Sequence, residues 1–141
     1  MRKTAAVLAV CGFIASAAYV SLGAQAKSAS AGVYATEQAT KGEAIYKEQC
    51  AACHGDNLEG SGPMPPLAGN DFLANWKGKS LGDLFEKVQA TMPATAPGTL
   101  TADQTVETLA FMLKAGKYPA GTAPLEGKME ALLPIAIDAP K

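Results

Sequence analysis

Apolar residues recur along this chain in two distinct ways. The first is a continuous run from Ala5 to about Val20, behind a basic Met1-Arg2-Lys3 and ahead of Leu22-Gly23-Ala24-Gln25-Ala26. A charged start, an apolar centre and small residues in an A-x-A arrangement read as a secretory signal over 1–26, with cleavage expected after Ala26. The run is Ala-rich and near the lower length limit for a span, so retention as a membrane anchor is the alternative. Cys11 raises lipid attachment, but the bulky Val10 stands where such a site wants a small residue.

The second way is helical spacing. Gly42, Ile45, Tyr46, Cys50 and Cys53 recur three and four residues apart and predict a helix starting within 36–40 and running to about Cys50. Thr40-Lys41-Gly42-Glu43 fits a capping box. Gly42 is costly inside a helix and predicts close approach by another element. Leu81, Leu84, Phe85 and Val88 form the stripe of a further helix, opened by Ser80-Leu81-Gly82-Asp83 and stopped before Pro93. Val106, Leu109, Ala110 and Leu113 make the buried face of a last helix from Thr101 to about Ala115, with a capping box at Thr101–Gln104 and Gly116 as its stop. A helical turn is expected over 71–75, ending near Trp76. Gly- and Pro-rich loops separate these helices over 55–71 and from Pro93 through Gly98. No alternating strand pattern is present, so the fold class is all-α. Residues 27–35 are predicted to be a flexible lead-in, 36–121 the domain, and 122–141, with Leu132-Leu133-Pro134-Ile135, an irregular tail packed on it.

Composition narrows the function. Removal of 1–26 takes away Arg2 and Lys3, leaving ten basic residues against thirteen acidic ones, a net −3. No basic stripe suggests nucleic acid, and no later segment is long and apolar enough to span a membrane. Two cysteines remain, so a disulfide framework is not expected although export would permit one. A domain this small gains from a large apolar group at its centre.

Those two cysteines lie in Cys50-Ala51-Ala52-Cys53-His54. The pattern reads as a c-type haem attachment site: each thiol forms a thioether to the haem, and the adjacent histidine ligates the iron. His54 is the chain's single histidine. A zinc site would need further Cys or His ligands, and 27–141 contain none. A thiol–disulfide centre would normally follow a strand, whereas here a helix precedes the pair. The absence of a second histidine leaves methionine for the sixth position: Met64, Met92, Met112 or Met129. Met112 and Met129 have plain readings as apolar filler. Met92 ends a helix and Pro93 turns the chain, which puts a thioether on a rigid support. Met64, ten residues after His54, is its rival.

The carrying residues are Gly42 and Tyr46, Cys50 to Gly55, Pro65-Pro66-Leu67-Ala68-Gly69, Thr91-Met92-Pro93 and Pro97-Gly98-Thr99-Leu100. With them, residues 36–121 resemble a monohaem class I cytochrome c, more narrowly the small bacterial domains associated with quinoprotein dehydrogenases and the cbb3 subunit III-like group. The resemblance implies a cytochrome c fold of three to five helices around one covalently attached haem c. Its first and last helices would cross, Gly42 and Tyr46 meeting Leu109 and Leu113. It implies His54 and Met92 as axial ligands, and a loop proline carbonyl, Pro65 with Pro66 next, as partner of the second ring nitrogen of His54. Trp76 is a candidate donor to a haem propionate; packing alone is the other reading.

The expected function is an exported, periplasmic one-electron carrier with no catalysis of its own. Its donor and acceptor would be redox proteins, with a quinoprotein dehydrogenase or a terminal oxidase as candidates. The alternatives are a haem enzyme or gas sensor with a labile sixth site, or the thiol–disulfide oxidoreductase. No arginine and no second histidine follow residue 26 to serve as polar distal groups. Lys77, Lys79 and Lys87 are candidates to flank a docking face.

Overall fold

The computed structural model describes residues 27–141; the expected signal over 1–26 lies outside them. Four multi-turn helices build the domain: α1 (Thr36–Gln49), α3 (Gly69–Trp76), α4 (Leu81–Thr91) and α5 (Ala102–Ala115). Two single-turn helices, α2 (Ala51–His54) and α6 (Met129–Leu132), a 3-10 turn (Ala29–Ala31) and two short strands, β1 (Lys27–Ser28) and β2 (Ile135–Ala136), complete it.

The α1–α5 crossing is the main packing contact. At Gly42 the helices touch backbone to backbone: a Cβ there would stand 1.7 Å from the Glu107 carbonyl oxygen. Tyr46, fully buried, leans on Phe111 with ring centroids 5.2 Å apart. The crossing is the expected one, but Gly42 meets Glu107 and Thr108, and Tyr46 meets Phe111, so the contact includes residues flanking Leu109 and Leu113.

Local chemistry sets the helix ends. Ser80–Asp83 and Thr101–Gln104 form reciprocal capping boxes at the starts of α4 and α5. Thr40 does not cap: α1 begins four residues earlier behind Ala35, and the Thr40 hydroxyl donates to the Thr36 carbonyl within the helix. Burial of Gln38 and Ala39 explains the extension, because this turn faces the core. Helix α3 starts at Gly69, two residues before the expected turn. Helix α5 stops at Gly116, but the left-handed residue is Lys117, with φ 66°. Its N–H bonds Lys114 and that of Tyr118 bonds Leu113, the paired bonds of a Schellman end.

Residues 27–35 are a strap rather than a flexible lead-in. β1 pairs in parallel with β2, Lys27 opposite Ile135. Ala29 and Tyr34 are buried, and the Tyr34 hydroxyl donates to the Tyr118 carbonyl. Ser28 and Ser30 donate to the Asp138 carboxylate. The strands are too short for alternation to reveal them. The tail packs back through Leu125, Leu132, Ile135 and Ile137. Gln38 clamps it from α1, its amide both donating to and accepting from the Leu125 backbone at 2.9 Å.

Candidate haem-binding site

Cys50 caps the end of α1, its N–H donating to the Tyr46 carbonyl at 2.9 Å. The chain then turns at once into α2, where the N–H groups of Cys53 and His54 both reach the Cys50 carbonyl. Cys50 is half-buried and Cys53 exposed, and the two are not bonded to each other. Burial pushes the Cys50 thiol up to about 11, with Cys53 adding to the shift. A thiol of that kind is not the thiolate a disulfide-exchange centre needs near neutral pH. Among the described residues, no group of three His, Cys, Asp or Glu side chains comes together that could hold a metal ion.

His54 is 6% exposed. Its Nδ1 lies 2.8 Å from the carbonyl oxygen of Pro65. With Nδ1 donating there, Nε2 is left with its lone pair free to act as a ligand. The loop that brings Pro65 back is tied to the motif at several points. Gly60 N–H returns to the His54 carbonyl at 2.7 Å, and Leu67 N–H to that of Leu58 at 2.9 Å. Ser61 and Met64 close a tight turn by bonding each other's backbones. The Tyr46 hydroxyl donates to the Gly55 carbonyl at 2.6 Å. Gly55 has φ 81°, and a Cβ on it would lie 2.3 Å from the Glu59 carboxylate. Helical spacing marks Tyr46 as part of the buried face but carries no sign of its hydroxyl bond. The available signal was a phenol on an apolar stripe, which needs a buried partner. Nothing local marked Glu59.

The four methionines separate by environment. Met112 is buried in the core and Met129 packs against it. Met64 sits at its turn, 37% exposed. Met92 is half-buried, in extended conformation at the end of α4, with its N–H on the Val88 carbonyl. The following loop is held by Gln89, whose amide donates to the Leu100 carbonyl at 3.0 Å and the Thr105 hydroxyl at 2.7 Å. Trp76 ends α3, stacks on Phe72 and carries the Lys79 ammonium 4.8 Å above its ring. Trp76, Lys79, Asp83, Glu86 and Lys87 line an open groove.

The donor set fits a covalently held haem: two thiols and one imidazole on successive turns, one ring nitrogen engaged and the other left over. A helical domain built around such a turn is a cytochrome c fold. The chain belongs to the family described as cytochrome c oxidase, cbb3-type, subunit III, whose model matches residues 37–112. It is 31% identical to a thiosulfate dehydrogenase from Stutzerimonas stutzeri (strain A1501), over 64% of this chain and 31% of that protein. Its structure resembles the crystal structure of the sulfane dehydrogenase SoxCD from Paracoccus pantotrophus, with a TM-score of 0.50 and 26% identity, over 68% of this chain and 53% of that one. The chain thus spans about a third of the length of the curated relative it matches.

Proposed function

We propose that this protein is an exported, periplasmic electron carrier with one covalently bound haem c, ligated by His54 and Met92. The observation that carries the reading is the His54 Nδ1 contact to Pro65, directly after the two thiols. When bound, haem supplies a one-electron ferric/ferrous couple. Cys50 and Cys53 tether it. His54 offers Nε2 to the iron, and the Pro65 carbonyl fixes its tautomer and raises its basicity. The contact also bears on the choice of methionine. Met64 is exposed at its tight turn in the same loop that supplies the Pro65 carbonyl to Nδ1. Met92, on a separate helix with its loop anchored by Gln89, is the better sixth ligand, and its soft thioether favours a raised potential. Trp76, with the Lys79 ammonium beside it, suits the anionic edge of the haem.

The protein's partners on this reading are redox enzymes. Similarity to a thiosulfate dehydrogenase and to SoxCD favours a sulfur-compound dehydrogenase among the donors, beside the quinoprotein dehydrogenase or terminal oxidase that the sequence suggested. The role is to move electrons for such an enzyme.

The test is optical. Protein from a host that attaches haem c should show a low-spin spectrum, and its haem should survive acid–acetone extraction. The ferric form should carry the weak red band of sulfur ligation. Met92→Ala should lose that band and Met64→Leu should keep it. A high-spin wild type would transfer the lead to a haem enzyme or gas sensor, and extractable haem would sink the covalent reading. Export is tested by the mass of the periplasmic protein, which should begin at Lys27.

A further inference from the structure

Tyr46 holds both ends of the haem-attachment stretch. Its backbone carbonyl accepts the Cys50 N–H at 2.9 Å, and its hydroxyl donates to the Gly55 carbonyl at 2.6 Å. Between those two bonds lie both cysteines and His54. The side chain is fully buried and its ring rests on Phe111 of α5. A phenylalanine would fill the same space, so packing alone does not account for the oxygen. Burial pushes the hydroxyl up to about 12, with the charges of Cys50, Glu59 and Asp56 adding to the shift and the Leu58 backbone N–H beside the oxygen working against it, so it remains a donor across the neutral range.

The acceptor is equally specific. Gly55 follows His54 directly, and its carbonyl also receives the Leu58 N–H at 3.3 Å. The next turn closes on His54 itself through the Gly60 N–H. Pro65 therefore holds the imidazole at its ring, and Tyr46 holds the backbone from which the ring projects.

We infer that the Tyr46 hydroxyl is a positioning group for the proximal histidine, fixing the backbone at Gly55 and through it the direction in which His54 presents Nε2. The inference rests on the haem-carrier reading. It also makes α1 more than a packing element: the helix that crosses α5 at Gly42 sets the attitude of the iron ligand just past its own end.

The test uses the haem-loaded full chain, as wild type, Tyr46→Phe and Phe111→Leu. Tyr46→Phe keeps the ring and removes one oxygen. Phe111→Leu loosens the same helix crossing and keeps the oxygen. Tyr46→Phe should speed amide exchange at Leu58 and Gly60 by roughly 3- to 10-fold relative to the rest of the domain, the worth of one ordinary hydrogen bond. It should also shift the reduction potential and lower the temperature at which the sulfur-ligation band is lost. Phe111→Leu should lower the denaturant midpoint with those signatures unmoved. A Tyr46→Phe protein with wild-type exchange and potential, or one that only repeats Phe111→Leu, overturns the inference. Proton NMR of the ferrous wild type gives a measurement independent of any variant: a slowly exchanging Tyr46 hydroxyl proton close to Gly55 is expected, and its absence counts against the role. A wild type without attached haem overturns the carrier reading and this role together; a haem-loaded wild type with an unresponsive Tyr46→Phe overturns this role alone.

Discussion

Lys117 sits in a backbone conformation that glycine adopts more easily. Its φ of 66° puts a Cβ in the left-handed region, at the position after the α5 cap where glycine is the usual occupant. Its side chain is exposed, so little packing opposes a change. Lys117→Gly should relieve the left-handed penalty and give part of the gain back through a looser unfolded chain, for a net stabilisation of about 0.5 kcal/mol. The check is a higher denaturant midpoint at unchanged slope. The sequence pointed to Gly116 as the stop and α5 does end there, while the left-handed residue that closes the end falls one position later, at Lys117. His54 and its two cysteines were legible because their chemistry is fixed by adjacency within five residues. The pairing of His54 with Pro65 spans eleven residues of loop and was legible only through a family resemblance.

At the scale of elements, the α1–α5 crossing depends on one missing side chain. Gly42→Ala would drive a methyl into the Glu107 carbonyl, with the backbone of Thr108 close behind. Neither helix can yield locally, so the variant should lose at least about 3 kcal/mol or fail to accumulate. Chemical denaturation of the haem-loaded protein measures it. Both helix starts with a serine or threonine three residues ahead of an acid or amide behaved as their local chemistry dictates. The Thr40 pattern did not. A capping box is local, and the buried turn upstream of Thr40 carried the helix past it.

Across the whole molecule, the two ends of the described chain secure each other. Packing of the tail was legible from its apolar patch, but the ordered strap was not, because the bonds that hold it to Asp138 join residues more than a hundred positions apart. Asp138 is the polar centre of that junction. Burial works against its charge, but hydrogen bonds from Ser28 and Ser30 outweigh burial and hold the carboxyl below its ordinary value. A group lowered in the folded state stabilises it above the carboxylate range, and the contribution disappears as acid protonates it. The wild type should therefore lose an increment of stability between neutral pH and about pH 3 that Asp138→Asn lacks, read as a shrinking gap between their denaturant midpoints.

The parallel pairing of Lys27 with Ile135 has a topological consequence. The strap and the tail run along each other in the same direction, with Ser30 still donating to the Ala139 carbonyl, so Lys27 and the end of the tail lie toward opposite ends of one paired stretch. A peptide joining residue 141 to residue 27 must therefore span the length of that stretch, after which the chain can be reopened elsewhere. Such a circular permutant, cut in the exposed stretch Thr122-Ala123-Pro124, should still fold around the His54 turn.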